Sequence, residues 1–179
     1  MTFDDVLTPY LQLLAGKGWT VEEAQPGEVL ALRPEVRARY ARIPEQYERF
    51  LARVRSCVNA DETIWFLCAE DYNVDPADPA FAWNEFEKME LEDLAPGAAE
   101  AMTVRQFWDA HLPFMLSVGG EYSYMGFRVV GERFGSVVEG YDIDLREPSD
   151  VARDFEEFAR LHSKALNGDA GGSILGAYA

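Results

Sequence analysis

The chain has 179 residues, close to the size of one domain, and its 48% hydrophobic content is enough for a single core. Its uncharged apolar runs are far shorter than the roughly 20 residues that cross a bilayer, which excludes a membrane-spanning helix. Two aspartates stand near the N-terminus, where a signal peptide carries basic residues. We therefore expect one domain in the cytoplasm, with no membrane partner.

The formal charge is −16, and it is unevenly distributed along the chain. Residues 1–60 contain eight acids and eight Lys or Arg, net 0, whereas residues 61–100 contain twelve acids and one base, Lys88, net −11. A negative field of this kind repels nucleic acids and anionic lipids and speeds the approach of basic partners. We therefore expect no nucleic-acid binding. Simple solubility and attraction of a basic protein both explain the charge.

The first 41 residues are predicted to form an N-terminal helix and an irregular extension. Apolar residues at helical spacing predict a helix over residues 4–15. They are Phe3, Leu7, Tyr10 and Leu14. Pro9 either bends this helix or occupies its first turn, with Thr8 as the cap. The best candidate for a strand in the extension is residues 28–32.

A second amphipathic helix is predicted over residues 44–58. Pro44 suits the first helical position, and Glu45 suits the positive end of the helix dipole. Arginines lie on the polar faces of this region, but the first 60 residues also hold eight acids and have no net charge, so we expect ion pairs at the surface and no phosphate site. They are Arg33, Arg37, Arg39, Arg42, Arg49, Arg53 and Arg55.

The start of a calcium-binding loop is visible at Asp71, Asn73 and Asp75, which have the D-x-N-x-D spacing. The match then fails, because Pro76 stands where the loop needs glycine and Ala82 stands where it needs glutamate. We therefore predict no metal site. An acidic segment with helical character follows from about residue 83.

An antiparallel β-meander is predicted over residues 114–141. Thr103 is expected to cap a short helix that leads into it. Apolar and polar residues alternate through the meander, Gly119-Gly120 supplies positive φ angles for a tight hairpin turn, and residues 131–135 form the second turn. A sheet of this kind needs helices on one face to bury its apolar side chains.

The closing helix is predicted over residues 151–166 and ends at Asn167-Gly168. The segment from residue 169 to 179 is rich in glycine and alanine, and we expect it to be flexible. These elements predict an α+β fold in one domain, with an antiparallel meander sheet flanked by helices. We place that domain at residues 42–168.

No catalytic motif is visible in the chain: we find no nucleophile elbow and no phosphate-binding loop. Cys57 and Cys68 lack metal-ligand spacing, and we expect them to be small buried side chains. His111 and His162 are expected to be structural. We therefore predict a protein without catalytic residues, cofactor or metal.

An enzyme stays open as the alternative. It would combine one of the two histidines with Asp142, Asp144 or a glutamate of residues 85–92 in a cleft. Such an enzyme would be a hydrolase or a metal-dependent enzyme of a type that the sequence does not identify.

The order of segments resembles the SUKH superfamily, which includes the Smi/Knr cell wall assembly regulators and many bacterial immunity proteins. The resemblance covers residues 42–166 and rests on IPEQYERFL, FWDAHLPFM, GGEYSYMGF and VARDFEEFARLH. Within these, Leu112-Pro113-Phe114, Tyr122-Ser123-Tyr124 and the closing helix match best. The resemblance implies an α+β fold, no catalytic residues and binding of other proteins, commonly a cognate polymorphic toxin.

The expected function is that of an immunity protein that neutralises a basic toxin domain, for example a nuclease, through its acidic surface. A housekeeping scaffold or regulator of cell wall assembly is the alternative within the same resemblance. The expected partner-binding residues are acids of residues 61–100 together with two aromatic side chains, which equally suit core packing. They are Asp71, Tyr72, Asp75, Asp78, Trp83, Glu85, Glu87 and Glu90.

Overall fold

The computed structural model describes residues 2–75, 81, 83–141, 147–169 and 174–179. It has an α+β fold in a single domain, as the sequence predicts, with one seven-stranded open sheet in which every strand pairs antiparallel with its neighbours in sequence. The strands are β1 (Thr20–Glu23), β2 (Val54–Val58), β3 (Ile64–Phe66), β4 (His111–Ser117), β5 (Ser123–Arg128), β6 (Val137–Tyr141) and β7 (Ser149–Ala152).

Seven helices lie within the described residues, and none of these is long and apolar enough to cross a membrane. The helices are α1 (Asp4–Gly16), α2 (Pro34–Arg39), α3 (Glu45–Arg53), α4 (Ala69–Tyr72), α5 (Glu85–Leu91), α6 (Ala99–Ala110) and α7 (Phe155–Leu166), followed by a 3-10 turn (Ile174–Tyr178). The predicted helices near 4–15 and from residue 83 are therefore confirmed.

The predicted meander is confirmed as β4, β5 and β6, but the conformation of its first turn is not the predicted one. Positive φ angles occur at Gly131 and Gly135 in the second turn, and Gly119 and Gly120 are not among the positive-φ glycines. Gly119 instead lies against Thr63 in the neighbouring turn, where a Cβ atom would come within 3.1 Å of the threonine Oγ1. Close packing between two turns accounts for this glycine.

The second helix is shorter than predicted: α3 ends at Arg53, and residues 54–58 form β2. The segment VRSCV holds two β-branched residues, and its backbone pairs with β1 on one side and with β3 on the other. In residues 54–58, pairing with other strands therefore outweighed the helical spacing of the apolar residues.

The strand predicted at residues 28–32 is wrong: these residues form no strand, and the first strand, β1, lies at Thr20–Glu23.

Three helix starts differ from the sequence prediction. Pro9 lies inside α1, so a start capped by Thr8 is not observed. Thr103 lies inside α6 and donates a hydrogen bond to the Ala99 carbonyl. Helix α7 begins after Asp154, whose carboxylate accepts a hydrogen bond from the Glu157 amide, because residues 149–152 pair with β6. Its predicted end is confirmed by Gly168, at φ 84°.

Aromatic side chains fill the space between the sheet and helices α1, α3 and α7. Phe114 on β4 lies at the centre, with ring centroids 4.5 Å from Phe127 and 5.0 Å from Phe158. The opposite sheet face carries α5 and α6, where the ring of Trp108 lies 4.9 Å from that of Tyr124. Each sheet face therefore has its own helical cover.

The segments on both sides of the meander belong to the same core. Leu7 and Leu14 of α1 are fully buried, and β1 forms one edge of the sheet. In the 3-10 turn, Leu175 and Tyr178 are each 1% exposed. This packing differs from the flexible C-terminal segment that we expected, because two large apolar side chains among the glycines and alanines bury enough surface to hold the turn.

Candidate partner-binding surface

The sequence-predicted site begins at α4, where Asp71 and Tyr72 have structural contacts. The Asp71 carboxylate accepts a hydrogen bond of 2.6 Å from the Cys68 amide at the start of the helix, and burial raises the pKa of this carboxyl group. Tyr72 is fully buried. Tyr72, predicted as an aromatic anchor for a partner, therefore presents no surface to a partner in this conformation.

Tyr72 takes part in a buried hydroxyl network that joins three elements. Its hydroxyl contacts the Pro113 carbonyl at 2.5 Å and the Tyr47 hydroxyl at 2.8 Å, and Tyr47 also contacts the Leu67 carbonyl at 2.6 Å. The two hydroxyl groups have two protons to donate among these three short contacts. Burial raises the pKa of both tyrosines, so the pair stays protonated and links α3 to the sheet.

Glu87, also predicted to bind a partner, points inward and is nearly buried. Its carboxylate accepts two hydrogen bonds from the Arg39 guanidinium, at 2.6 and 2.9 Å, and its side chain is 8% exposed. Arg39 donates a further hydrogen bond of 2.8 Å to Asp109. This fork joins α2 to α5.

Trp83 is half-buried above the same ion pair. Its ring lies 5.7 Å from those of Tyr40 and Tyr72, and the Arg39 guanidinium carbon lies 5.5 Å from the ring centroid. Contacts with the core on one side and with a cation on the other stabilise this position. Only part of the indole is available to a partner.

The remaining predicted residues differ in their accessibility. Glu90 is half-buried and accepts a hydrogen bond of 2.9 Å from the Trp108 indole. Glu85 forms an ion pair of 3.2 Å with Lys88, and Asp75 is exposed. Asp78 lies outside the described residues. Of the seven predicted residues that the structure describes, Asp75 and Glu85 are therefore the acids best placed to meet a partner.

An aromatic cluster that sequence reasoning missed lies next to α5. We call it the Phe81 cluster, and it consists of Trp65, Phe81, Phe86 and Tyr122. The Phe81 ring is edge-on to the other three, with centroid distances of 5.6, 5.9 and 6.5 Å to Trp65, Phe86 and Tyr122. Phe86 is 2% exposed and Phe81 is 37% exposed. The cluster therefore begins in the core and opens to solvent at Phe81.

Methionine extends this apolar surface along α5. Met89 follows Phe86 by three residues, so the two side chains are neighbours on the helix, and Met89 is 38% exposed. The sequence signal was the series Phe81, Phe86 and Met89 within an otherwise acidic segment. It was overlooked because a single sequence does not show which aromatic residues reach the surface.

The two histidines have structural contacts. Tyr10 donates its hydroxyl proton to Nδ1 of the fully buried His162, and Nε2 donates to the Tyr178 carbonyl. Burial lowers the pKa of His162 to about 4, so the ring is neutral at pH 7. The Nδ1 atom of His111 donates a hydrogen bond of 2.9 Å to the Phe107 carbonyl, and burial lowers the pKa of His111 as well. Both rings are therefore buried.

The residues that the structure describes hold no group of three or more His, Cys, Asp or Glu side chains that could bind a metal ion. Asp142 and Asp144, considered for an enzyme, lie outside the described residues. The prediction that Cys57 and Cys68 are buried is confirmed, since they are 1% and 0% exposed, and burial raises the pKa of both thiols.

The predicted ion pairing of the arginine-rich region is confirmed. Arg53 binds Glu23 at 2.5 Å, and Arg49 binds both Asp4 and Glu45. Arg42 differs, because its guanidinium lies 4.1 Å from the ring centroid of Phe134. The arginines are thus largely held by carboxylates of the same region.

Comparison of the chain with protein-family models, with curated proteins and with solved structures found no match.

Proposed function

We propose that the chain is a non-catalytic, cytoplasmic protein-binding domain that holds a basic protein through the acidic surface of residues 61–100. The observation that carries this proposal is the exposure of Phe81 and Met89 within that acidic segment. Protein interfaces commonly combine a few apolar or aromatic anchors with a polar rim. The exposed pair supplies the anchors, and the surrounding carboxylates supply the rim.

The distribution of ion pairs supports a basic partner. In residues 1–60, acids and bases are equal in number, and many of them pair with one another, as Arg37 does with Glu48. Residues 61–100 contain twelve acids and only Lys88. Residues 61–100, which carry the exposed apolar residues, are therefore the most acidic part of the chain, and a negative charge of this kind steers basic partners.

The immunity role rests on the resemblance to the SUKH superfamily. Within that hypothesis the partner is a toxin domain, and a nuclease fits best because it carries Lys and Arg for binding phosphates. Carboxylates placed where phosphates would lie give both fast association and occlusion of the toxin site. A regulator of cell wall assembly remains the alternative from the same resemblance.

Charge reversal tests the acidic surface. One variant combines Asp61→Lys, Glu92→Lys and Glu121→Lys, all exposed and all on or beside the proposed surface. The matched control combines Glu22→Lys, Glu132→Lys and Asp169→Lys, which are exposed elsewhere and change the net charge equally. Protein captured from the native host would be identified by mass spectrometry, and its affinity would be measured by calorimetry at low and high salt.

We expect the first variant to lose at least about tenfold in affinity and the control to lose much less, because nearby charges act more strongly than distant ones. Wild-type affinity should fall as salt rises. Equal losses in the two variants, or affinity independent of salt, would contradict binding through this surface. A toxin gene beside this gene favours immunity, and cell-envelope genes beside it favour the regulator.

A further inference from the structure

The Phe81 cluster has the geometry of an anchor site. Its rings hold one another in edge contacts around Phe81, and Phe86 and Tyr122 stack at a centroid distance of 6.1 Å. Phe86 also lies 6.4 Å from Tyr124 of the sheet. A surface ring held in this way loses little conformational entropy on binding, which favours its use as an interface hot spot.

Carboxylates lie in two adjacent turns that lead into strands carrying or adjoining members of the cluster. Asp61 and Glu62 lie in the turn before β3, which carries Trp65, and Glu121 precedes Tyr122 in the turn between β4 and β5. A hydrogen bond of 2.8 Å from the Val118 amide to the Thr63 carbonyl joins the two turns. The acids of both turns therefore lie at the same end of the sheet as the cluster.

We infer that the Phe81 cluster is the anchor site for a basic amphipathic segment of the partner protein. An aliphatic side chain of that segment packs on Phe81 and Met89, while its Lys or Arg residues meet the carboxylates of the two turns. This inference deepens the proposed function, on which it rests, because it names the site and the kind of segment that enters it.

Charge decides the occupant. A second copy of this chain would bring the same acidic turns into contact, which like charges oppose. Nucleic acid and anionic lipid are repelled for the same reason. A neutral apolar peptide would leave the carboxylates around the cluster partly desolvated and without partners, at a cost in free energy. A basic segment with an apolar side chain satisfies both parts of the surface.

Three synthetic peptides of equal length test the site: a helical Lys/Leu peptide, a Lys/Ser peptide of the same charge and a Glu/Leu peptide of opposite charge. Binding to the full chain would be measured by calorimetry and by ¹⁹F NMR of protein labelled with 5-fluorotryptophan. The signal of Trp65 would be assigned with Trp65→Phe. The variants are Phe81→Ala and Met89→Ala, and the matched control is Met102→Ala, a methionine on α6 that is 54% exposed outside the cluster.

We expect the Lys/Leu peptide to bind and to shift the Trp65 signal, the Lys/Ser peptide to bind at least about tenfold more weakly, and the Glu/Leu peptide not to bind. Phe81→Ala should lower the affinity for the Lys/Leu peptide about tenfold, and Met102→Ala should leave that affinity unchanged. Met89→Ala should also weaken binding, which keeps the test valid if Phe81→Ala does not fold.

Two outcomes would overturn the inference: an unmoved Trp65 signal on binding, or equal affinity of the Phe81, Met89 and Met102 variants. The fate of the proposed function is measured separately. A native partner whose affinity falls with salt but is unchanged by Phe81→Ala would overturn this anchor site and leave the proposed function standing. Peptide binding that requires Phe81, in a chain with no basic native partner, would support the anchor site and contradict the proposed function.

Discussion

At the scale of single residues, Gly140 shows how one side chain constrains another across the sheet. It faces Tyr124 on the neighbouring strand, and a Cβ atom at Gly140 would lie 2.4 Å from the tyrosine hydroxyl oxygen and 2.5 Å from two ring carbons. Tyr124 is 1% exposed and packs against Trp108, so its ring is enclosed by other parts of the protein. The glycine therefore makes room for the aromatic ring.

We predict that Gly140→Ala destabilises the fold by about 1–3 kcal/mol, because the added methyl group forces a buried ring to move. Chemical denaturation followed by circular dichroism measures this. Gly120→Ala is the control, since a Cβ atom there would meet nothing within 4 Å. Adding Tyr124→Leu to Gly140→Ala should recover part of the loss. An unchanged denaturation midpoint in Gly140→Ala would show that the ring yields easily.

At the residue scale, the sequence also did not show which of the predicted site residues reach the surface. Tyr72 and Glu87 were chosen because they stand in an acidic segment with aromatic residues, yet one is buried in a hydroxyl network and the other in an ion pair. Composition does not distinguish an acid that meets a buried arginine from one that meets solvent. The position of Arg39, 48 residues away in the chain, decided the role of Glu87.

At the scale of elements, the fork between Arg39 and Glu87 connects two helices that are distant in sequence. Glu87 is nearly buried, and Arg39 is 21% exposed and contacts Tyr40 and Trp83 as well. Lysine cannot reproduce the planar two-point contact. The pair therefore helps to hold α5, and with it the Phe81 cluster, against the rest of the molecule.

We predict that Arg39→Lys destabilises the protein by about 1–3 kcal/mol, and that Glu87→Gln has an effect of similar size, because each leaves a nearly buried group poorly paired. Urea denaturation of both variants measures this. Arg37→Lys is the control, since its ion pair with Glu48 is largely exposed. Replacing both partners, as in Arg39→Met with Glu87→Leu, should cost less stability than the sum of the costs of Arg39→Met alone and Glu87→Leu alone. Strict additivity would contradict a direct coupling.

At the scale of the whole molecule, His162 joins three parts of the chain. It lies on α7, accepts a hydrogen bond from Tyr10 on α1 and donates one to the Tyr178 carbonyl in the C-terminal 3-10 turn. Trp19 lies at a ring centroid distance of 6.0 Å. Protonation of this buried ring would place a charge in the core that these neutral groups cannot balance.

Stability should therefore fall in acid. Burial lowers the pKa of His162 from 6.5 to about 4, so the unfolded chain binds a proton at a higher pH than the folded one. The stabilising contribution is fully present above pH 6.5 and is lost as the pH falls toward 4, with an upper value of about 3 kcal/mol. Burial raises the pKa values of Glu139 and Asp71, and these groups oppose the trend.

We predict that His162→Gln flattens this part of the pH dependence, because glutamine keeps one donor and one acceptor but does not titrate in this range. Denaturation midpoints of wild type and variant would be compared between pH 7 and pH 4. His111→Gln is the control, and it should retain the part of the slope that comes from His162. Parallel curves for wild type and His162→Gln would contradict the assignment.

The sequence by itself determined the α+β class, the meander over residues 114–141 and the amphipathic helices, because these follow from the local period of apolar residues. It could not identify β2 and β7, because short strands become stable only when distant partners supply their backbone hydrogen bonds. The site depended on tertiary structure even more. Burial of Tyr72, pairing of Glu87 and exposure of Phe81 are decided by which side chains meet across the fold, and no local pattern records those contacts.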